Sequence, residues 1–70
     1  MDSSVKGLTA SGTVKADATG RIFPAVKYTY FVGANGPFTE VYFAGQDTAE
    51  RVTADVQARV NQLRALGAVQ

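Results

Sequence analysis

The sequence contains neither cysteine nor histidine. Without cysteine the chain forms no disulfide and offers no thiolate ligand to a metal. Without histidine it lacks the most frequent general base and the usual imidazole ligand of zinc, copper and haem. We therefore expect no metal site and no cofactor, and we expect side-chain packing alone to supply the stability of the fold.

The net charge is also small, and long apolar runs are lacking. Seven basic and six acidic side chains leave a net charge of +1, too little to steer the chain toward nucleic acid or an anionic membrane. No stretch approaches the roughly 20 apolar residues that cross a bilayer, and residues 1–6 carry an acid and no signal-peptide-like run. We expect no membrane partner, a flexible segment at 1–6, and synthesis and folding in the cytoplasm.

The length allows one small domain, residues 1–70. A chain this short buries only about 60% of its unfolded surface, close to the limit for a stable hydrophobic core. Its hydrophobic fraction of 46% is nevertheless that of a globular protein. We therefore expect a folded domain that gains stability from a partner.

The C-terminal third has the spacing of an amphipathic helix, which we place at about 48–66. Asp47 is the expected N-cap, with Glu50 three residues on in capping-box position, and Gly67 is the expected C-terminal stop. The apolar positions recur at steps of three and four residues: Ala49, Val52, Val56, Val60, Leu63 and Gly67.

Three segments upstream have the composition of strands. Residues 26–32 and 38–43 are rich in β-branched and aromatic side chains, and residues 8–16 alternate between apolar and polar. The turn at 17–20 ends the first strand, and 21–23 begin the second, with Pro24 near its start. The sequence therefore predicts an α+β fold, a three-stranded antiparallel β-meander followed by one helix packed on one sheet face (β-β-β-α).

The connection at 33–37 contains Asn35-Gly36, a strong signal for a two-residue hairpin turn. Pro37 has no amide hydrogen to close such a turn, so a longer loop is an equal alternative and the register stays open. The same glycines match the GxxG of KH domains. That loop joins two helices, whereas this one joins two strands, so we favour the turn.

The carboxylates do not suggest catalysis. Asp47 and Glu50 have capping roles, and Asp55 lies four residues from both Arg51 and Arg59, where helix ion pairs form. Glu40 is expected to be a solvated charge on a strand. We therefore expect a non-enzyme with no small-molecule substrate.

The strand pattern places large apolar groups on both faces of the sheet, with Tyr28, Tyr30 and Val32 pointing one way and Phe31 the other. One helix covers only one face, so some aromatic side chains should stay exposed and contact a protein partner or a second copy. The alternative is that the N-terminal segment crosses the second face and completes a private core. The expected interface residues are Tyr28, Tyr30, Phe31, Phe38 and Tyr42.

A nucleic-acid-binding domain is the alternative function. The β-β-β-α order is similar to that of three-stranded DNA-binding domains, whose sheet side chains read the major groove. Here Lys15, Arg21 and Lys27 would share a surface with the tyrosines. Only four basic residues precede the helix, whereas strong duplex binding neutralises about six phosphates or more.

Residues 28–40 and 59–66 resemble segments of short proteins encoded among the structural and morphogenesis genes of tailed bacteriophages. The matched runs, YTYFVGANGPFTE and RVNQLRAL, lie within residues 28–66, which make up about half the chain. The resemblance implies a small virion or assembly component that self-associates or docks on a larger phage protein. It implies no catalytic residue.

Overall fold

A three-stranded antiparallel sheet followed by one helix forms the chain, as the sequence predicts. The computed structural model describes residues 1–69 of the 70. The strands β1 (Val5–Ala16), β2 (Ile22–Val32) and β3 (Asn35–Phe43) are ordered β1-β2-β3, and α1 spans Ala49–Ala65. Both pairings are antiparallel, so the predicted meander and its α+β class are confirmed.

The β1–β2 hairpin turns at Asp17, as expected. The Asp17 carboxylate accepts hydrogen bonds from the backbone amides of Thr19 (2.8 Å) and Arg21 (3.0 Å), and its pKa is lowered, first by the Thr19 hydroxyl that also donates to it. The carboxylate thus accepts hydrogen bonds from amides of the turn that would otherwise bond to water. The tip of the hairpin is thereby held in one conformation.

The β2–β3 turn is formed by Gly33 and Ala34, since Val32 pairs directly with Asn35. The hairpin itself is as predicted, but neither of the two alternatives for its connection is found, an Asn35-Gly36 turn or a longer loop, because Asn35 and Gly36 both lie inside β3. Gly33 has a φ of 59° while Ala34 has a negative φ, the pattern of a type II′ turn, in which glycine takes the first central position. This turn fixes the register that the sequence left open.

The N-terminus of α1 is capped by Thr48, whose hydroxyl accepts a hydrogen bond from the Arg51 amide at 3.2 Å. The prediction of Asp47 as the cap is therefore wrong by one residue. Both residue types cap helices well. Asp47 instead accepts a hydrogen bond from the Tyr28 hydroxyl at 2.8 Å, so the connection to the helix is tied to the sheet.

Gly67 stops the helix, as predicted: α1 ends at Ala65, Leu66 is its C-cap, and Gly67 follows in the left-handed conformation. Gly67 has a φ of 73°; its amide donates to the Arg64 carbonyl at 3.0 Å, and the Ala68 amide donates to the Leu63 carbonyl at 2.8 Å. These two bonds form a Schellman motif, which satisfies carbonyls left free at a helix C-terminus. The chain then turns back toward the end of the sheet at which the turn joins β2 to β3.

One face of α1 supplies half of the buried core, through Val52, Val56 and Val60. Each fully buried valine contributes roughly 1.5–3 kcal/mol through its removal from water. The facing sheet residues in this cluster are Tyr30, Val32 and Tyr42, and Val5, Tyr28, Phe38, Leu63 and Val69 pack around it.

The N-terminal segment adds a strand to the edge of the sheet instead of crossing its second face. The alternative of a private core on both faces is therefore wrong. Ahead of β1, the Asp2 carboxylate accepts hydrogen bonds from the Ser4 amide (2.9 Å) and pairs with Arg64 of α1 (2.8 Å), so this segment lies on the helix side. Among residues 1–69, α1 is too short and too polar to cross a membrane.

Candidate functional site

All three tyrosines lie on the side of the sheet that α1 covers. The Tyr30 hydroxyl donates to Glu40 at 2.7 Å and the Tyr42 hydroxyl donates to Asp55 at 2.6 Å. Burial, together with these carboxylates, raises the pKa of Tyr30 to about 12 and raises that of Tyr42 above its usual value. These hydroxyls are protonated at neutral pH and join the sheet to its surroundings.

The five expected interface residues are divided between the two faces. Tyr30 and Tyr42 are buried, and Tyr28 and Phe38 are half-buried against the same core. Phe31 lies on the other face and is 41% exposed. The expectation that these five residues form an exposed interface is thus corrected: the helix covers the face on which four of them lie.

The opposite side of the sheet, which we call the open face, is not covered by any element of residues 1–69. Strand alternation places Lys27 and Phe31 there, since Tyr28, Tyr30 and Val32 point to the helix. Directly opposed residues share a face, which adds Lys6 opposite Phe31 and both residues of the Lys15–Phe23 pair. Its charged and aromatic members are Lys6, Lys15, Phe23, Lys27, Phe31 and Phe43.

Two aromatic rings and two cations form a cluster at one end of the open face. Phe23 and Phe43 meet edge to face with ring centroids 6.2 Å apart. Lys15 Nζ lies 4.8 Å from the Phe43 centroid, and Arg21 Cζ lies 5.4 Å from the Phe23 centroid. Both distances are within the range of cation–π attraction, so the cations are held beside the rings.

A shallow apolar hollow of about 330 Å³ lies beside this cluster. It is formed between the end of β3 and the part of the β1–β2 hairpin that extends beyond it. Its walls are mainly aromatic and aliphatic, so it can take an apolar side chain of a partner. The lining residues are Asp17, Phe23, Pro24, Phe43 and Ala44.

Charge is segregated across the sheet although the net charge is only +1. The open face carries three lysines and no carboxylate, as the strand registers show. Four of the six carboxylates contact groups on the helix side, Glu50 lies in the first turn of α1, and Asp17 lies in the β1–β2 turn. A partner that reaches the strands of the open face therefore meets the positive charge of the lysines, while the Asp17 carboxylate lies beside this face in the wall of the hollow.

The nucleic-acid alternative needs a correction in its residue set. Lys15 and Lys27 lie on the face opposite the tyrosines, and their aromatic neighbours are phenylalanines. Alternation along β2 and β3 is a signal that could have identified Phe23 and Phe43. Alternation could not have identified Lys6, because an irregularity between Lys6 and Thr9 shifts the β1 register by one residue.

Within residues 1–69, no three acidic side chains lie close enough together to hold a metal ion. Glu40 interacts with Tyr30 at 2.7 Å and with Arg59 of α1 at 3.8 Å. Its carboxylate thus links β3 to the helix instead of projecting as a solvated charge. Comparison of the chain with protein-family models, with curated proteins and with solved structures finds no match.

Proposed function

We propose that this chain is a non-catalytic protein-interaction module whose open face docks a partner surface that is acidic and bears apolar side chains. The observation that carries this proposal is the combination of an uncovered sheet face, exposed phenylalanines and three lysines without a carboxylate among them. A partner of opposite charge is favoured because complementary potentials guide and orient association.

The apolar part of the contact rests on Phe31 and Phe23, which are 41% and 37% exposed. Aromatic side chains with this exposure supply large, rigid contact area and are enriched among residues that dominate binding energy. The hollow beside Phe23 adds a place for an anchoring side chain. The lysines lie around these rings and would form the polar margin of the contact.

The open face does not suit a face-to-face pair of identical chains. Such a pair would bring Lys6, Lys15 and Lys27 of one copy against the same lysines of the other. Like charges brought together at an interface oppose association. This supports a different protein as the partner of this face.

The proposal is tested with a fluorescein-labelled peptide of twelve residues that alternates glutamate with phenylalanine and leucine. We expect binding that weakens roughly tenfold when Lys15→Glu and Lys27→Glu are combined, since several surface charge pairs change sign. The matched control is made one substitution at a time: Arg51→Glu changes the net charge by as much as Lys15→Glu or Lys27→Glu alone, at an exposed position on α1. Equal weakening by the control variant would contradict the role of the open face.

Single-stranded nucleic acid is the second candidate for the same surface. The specific observation in its favour is that Lys15 and Arg21 lie beside stackable phenylalanine rings and that Lys27 shares the face of Lys15. Base stacking on aromatic rings combined with a basic surface is the usual mode of single-strand binding. The test is a labelled dT12 oligonucleotide at low and high salt. Affinity that exceeds that of the acidic peptide and falls steeply with salt would favour this candidate.

The resemblance to phage morphogenesis proteins suggests a setting for the module. In that setting we propose that the chain is a small virion or assembly component and that the acidic partner surface belongs to a larger protein of the particle. Cosedimentation of the chain with purified particles tests this. Its absence from the particles would contradict only the proposal that the chain is a component of the virion.

A further inference from the structure

The outer edge of β1 is a second surface whose backbone groups lack partners in the sheet. β1 is an edge strand of the order β1-β2-β3, and no backbone group of residues 1–69 pairs with its outer side beyond Val5. In an edge strand every second residue directs its N–H and C=O outward. Every second residue of β1 beyond Val5 therefore offers backbone groups to a further strand.

The other edge of the sheet is protected in ways that β1 is not. β3 contains Pro37, which has no amide hydrogen, and the side chain of Asn35 donates to the Ala68 carbonyl at 3.0 Å. Proline and covering segments are devices that keep edges from pairing. Residues 8–14 of β1 contain no proline and no charged side chain, and the irregularity of β1, between Lys6 and Thr9, lies at one end of this stretch.

We propose that two copies of this chain pair their β1 strands antiparallel, with the twofold axis at Ser11, and form one six-stranded sheet. An axis perpendicular to the sheet keeps both helices on one side and both open faces on the other. The outward backbone groups of an antiparallel edge are complementary to those of an identical strand related by such an axis.

The side chains of residues 8–14 fit this register. It places Leu8 opposite Val14 of the second copy, and these are 39% and 63% exposed in the single chain. It also places Thr9 opposite Thr13, and such apolar and threonine pairs stabilise antiparallel strands. Lys6 and Lys15 fall outside the paired stretch, so no lysine lies opposite another.

The paired stretch is short, so we expect a weak dimer at the low end of specific interfaces. Its consequence is that two open faces become one continuous surface, which would strengthen binding to a repeated partner. The edge pairing does not require the open face to bind anything. The two proposals therefore fail independently.

The register is tested by disulfide trapping, because the native chain has no cysteine. Directly opposed residues have Cα atoms about 4.5–5.5 Å apart, within the range of a disulfide. We expect S11C to cross-link to itself with oxidised glutathione as the oxidant. T13C alone should not, since two such residues lie about 13 Å apart at about 3.3 Å per residue, whereas a mixture of T9C and T13C should cross-link.

A charge swap provides the second measurement. S11K and S11E should each reduce the dimer fraction at high micromolar concentration in sedimentation equilibrium, because like charges meet at the axis. An equimolar mixture should restore it. T39K, an exposed position on β3, should have no effect. S11C trapping no faster than T39C, or a strict monomer at every concentration, would overturn the proposal.

Discussion

The Tyr42 hydroxyl donates a 2.6 Å hydrogen bond to the Asp55 carboxylate, and this bond joins β3 to α1. Tyr42 is 8% exposed, whereas Asp55 is exposed. The ring therefore packs in the core while the bond forms at its margin. Together with the Tyr28–Asp47 and Tyr30–Glu40 bonds, it joins the tyrosine side of the sheet to the helix and to the connection that leads into it, while the open face stays uncovered by residues 1–69.

We expect Tyr42→Phe to lower the free energy of unfolding by about 1 kcal/mol, the usual net value of one hydrogen bond. The loss is limited because the exposed Asp55 carboxylate can form hydrogen bonds with water instead. Urea denaturation of Tyr42→Phe, Asp55→Ala and the double variant measures the coupling between the two side chains. Additive losses, with no coupling beyond error, would contradict the bond.

The free energy of unfolding should fall at alkaline pH, because the buried tyrosines lose their protons more readily in the unfolded chain than in the folded one. The pKa of Tyr30 is raised from 10.0 to about 12, so the folded chain keeps a proton that the unfolded chain loses above pH 10. This contribution is fully present below pH 10 and is lost as the pH rises through about 12. Denaturation at a series of pH values should show a shallower decline for Tyr30→Phe. An unchanged slope would contradict the assignment.

Val56→Ala should cost roughly 2 kcal/mol, because Val56 is fully buried between the helix and the sheet. The matched control is Thr53→Ala on the exposed side of α1, for which we expect a change within about 0.5 kcal/mol. Thermal unfolding followed by circular dichroism separates the two. A similar small effect for both variants would show that α1 does not pack as described.

Gly67→Ala should destabilise the chain by about 1–2 kcal/mol, since Gly67 has a φ of 73° that disfavours a Cβ atom. Gly12→Ala is the control, because Gly12 lacks a positive φ and neither site has an atom within 4 Å of the added Cβ. The midpoint temperature should fall by several degrees for the first variant only. Equal shifts would contradict the conformational cause.

The sequence predicted the elements better than their junctions. Periodicity identified the helix, and β-branched and aromatic composition identified the strands. The Asn35-Gly36 signal lies two residues after the observed turn at Gly33 and Ala34, because each of the two glycines can supply the positive φ. The cap was placed at Asp47, because two good capping residues, Asp47 and Thr48, are adjacent. Local sequence does not decide between such neighbours, since tertiary contacts such as Tyr28–Asp47 make the choice.

The candidate site was predictable in part. Alternation correctly separated Phe31 from Tyr28 and Tyr30. Which of the two faces the helix covers depends on the packing of α1 against the tyrosine rings, and alternation alone does not determine that. Lys6 joins the open face only because the β1 register shifts near Gly7, which has a φ of 65°. A single glycine does not reveal such an irregularity in advance.

The most direct test of the open face as the binding surface is an NMR titration of the ¹⁵N-labelled chain with the acidic peptide described above. We expect the largest amide shifts around Phe23, Lys27 and Phe31 of β2, while α1 changes little. The largest shifts on α1, or on residues 8–14 at the outer edge of β1, would contradict this binding surface.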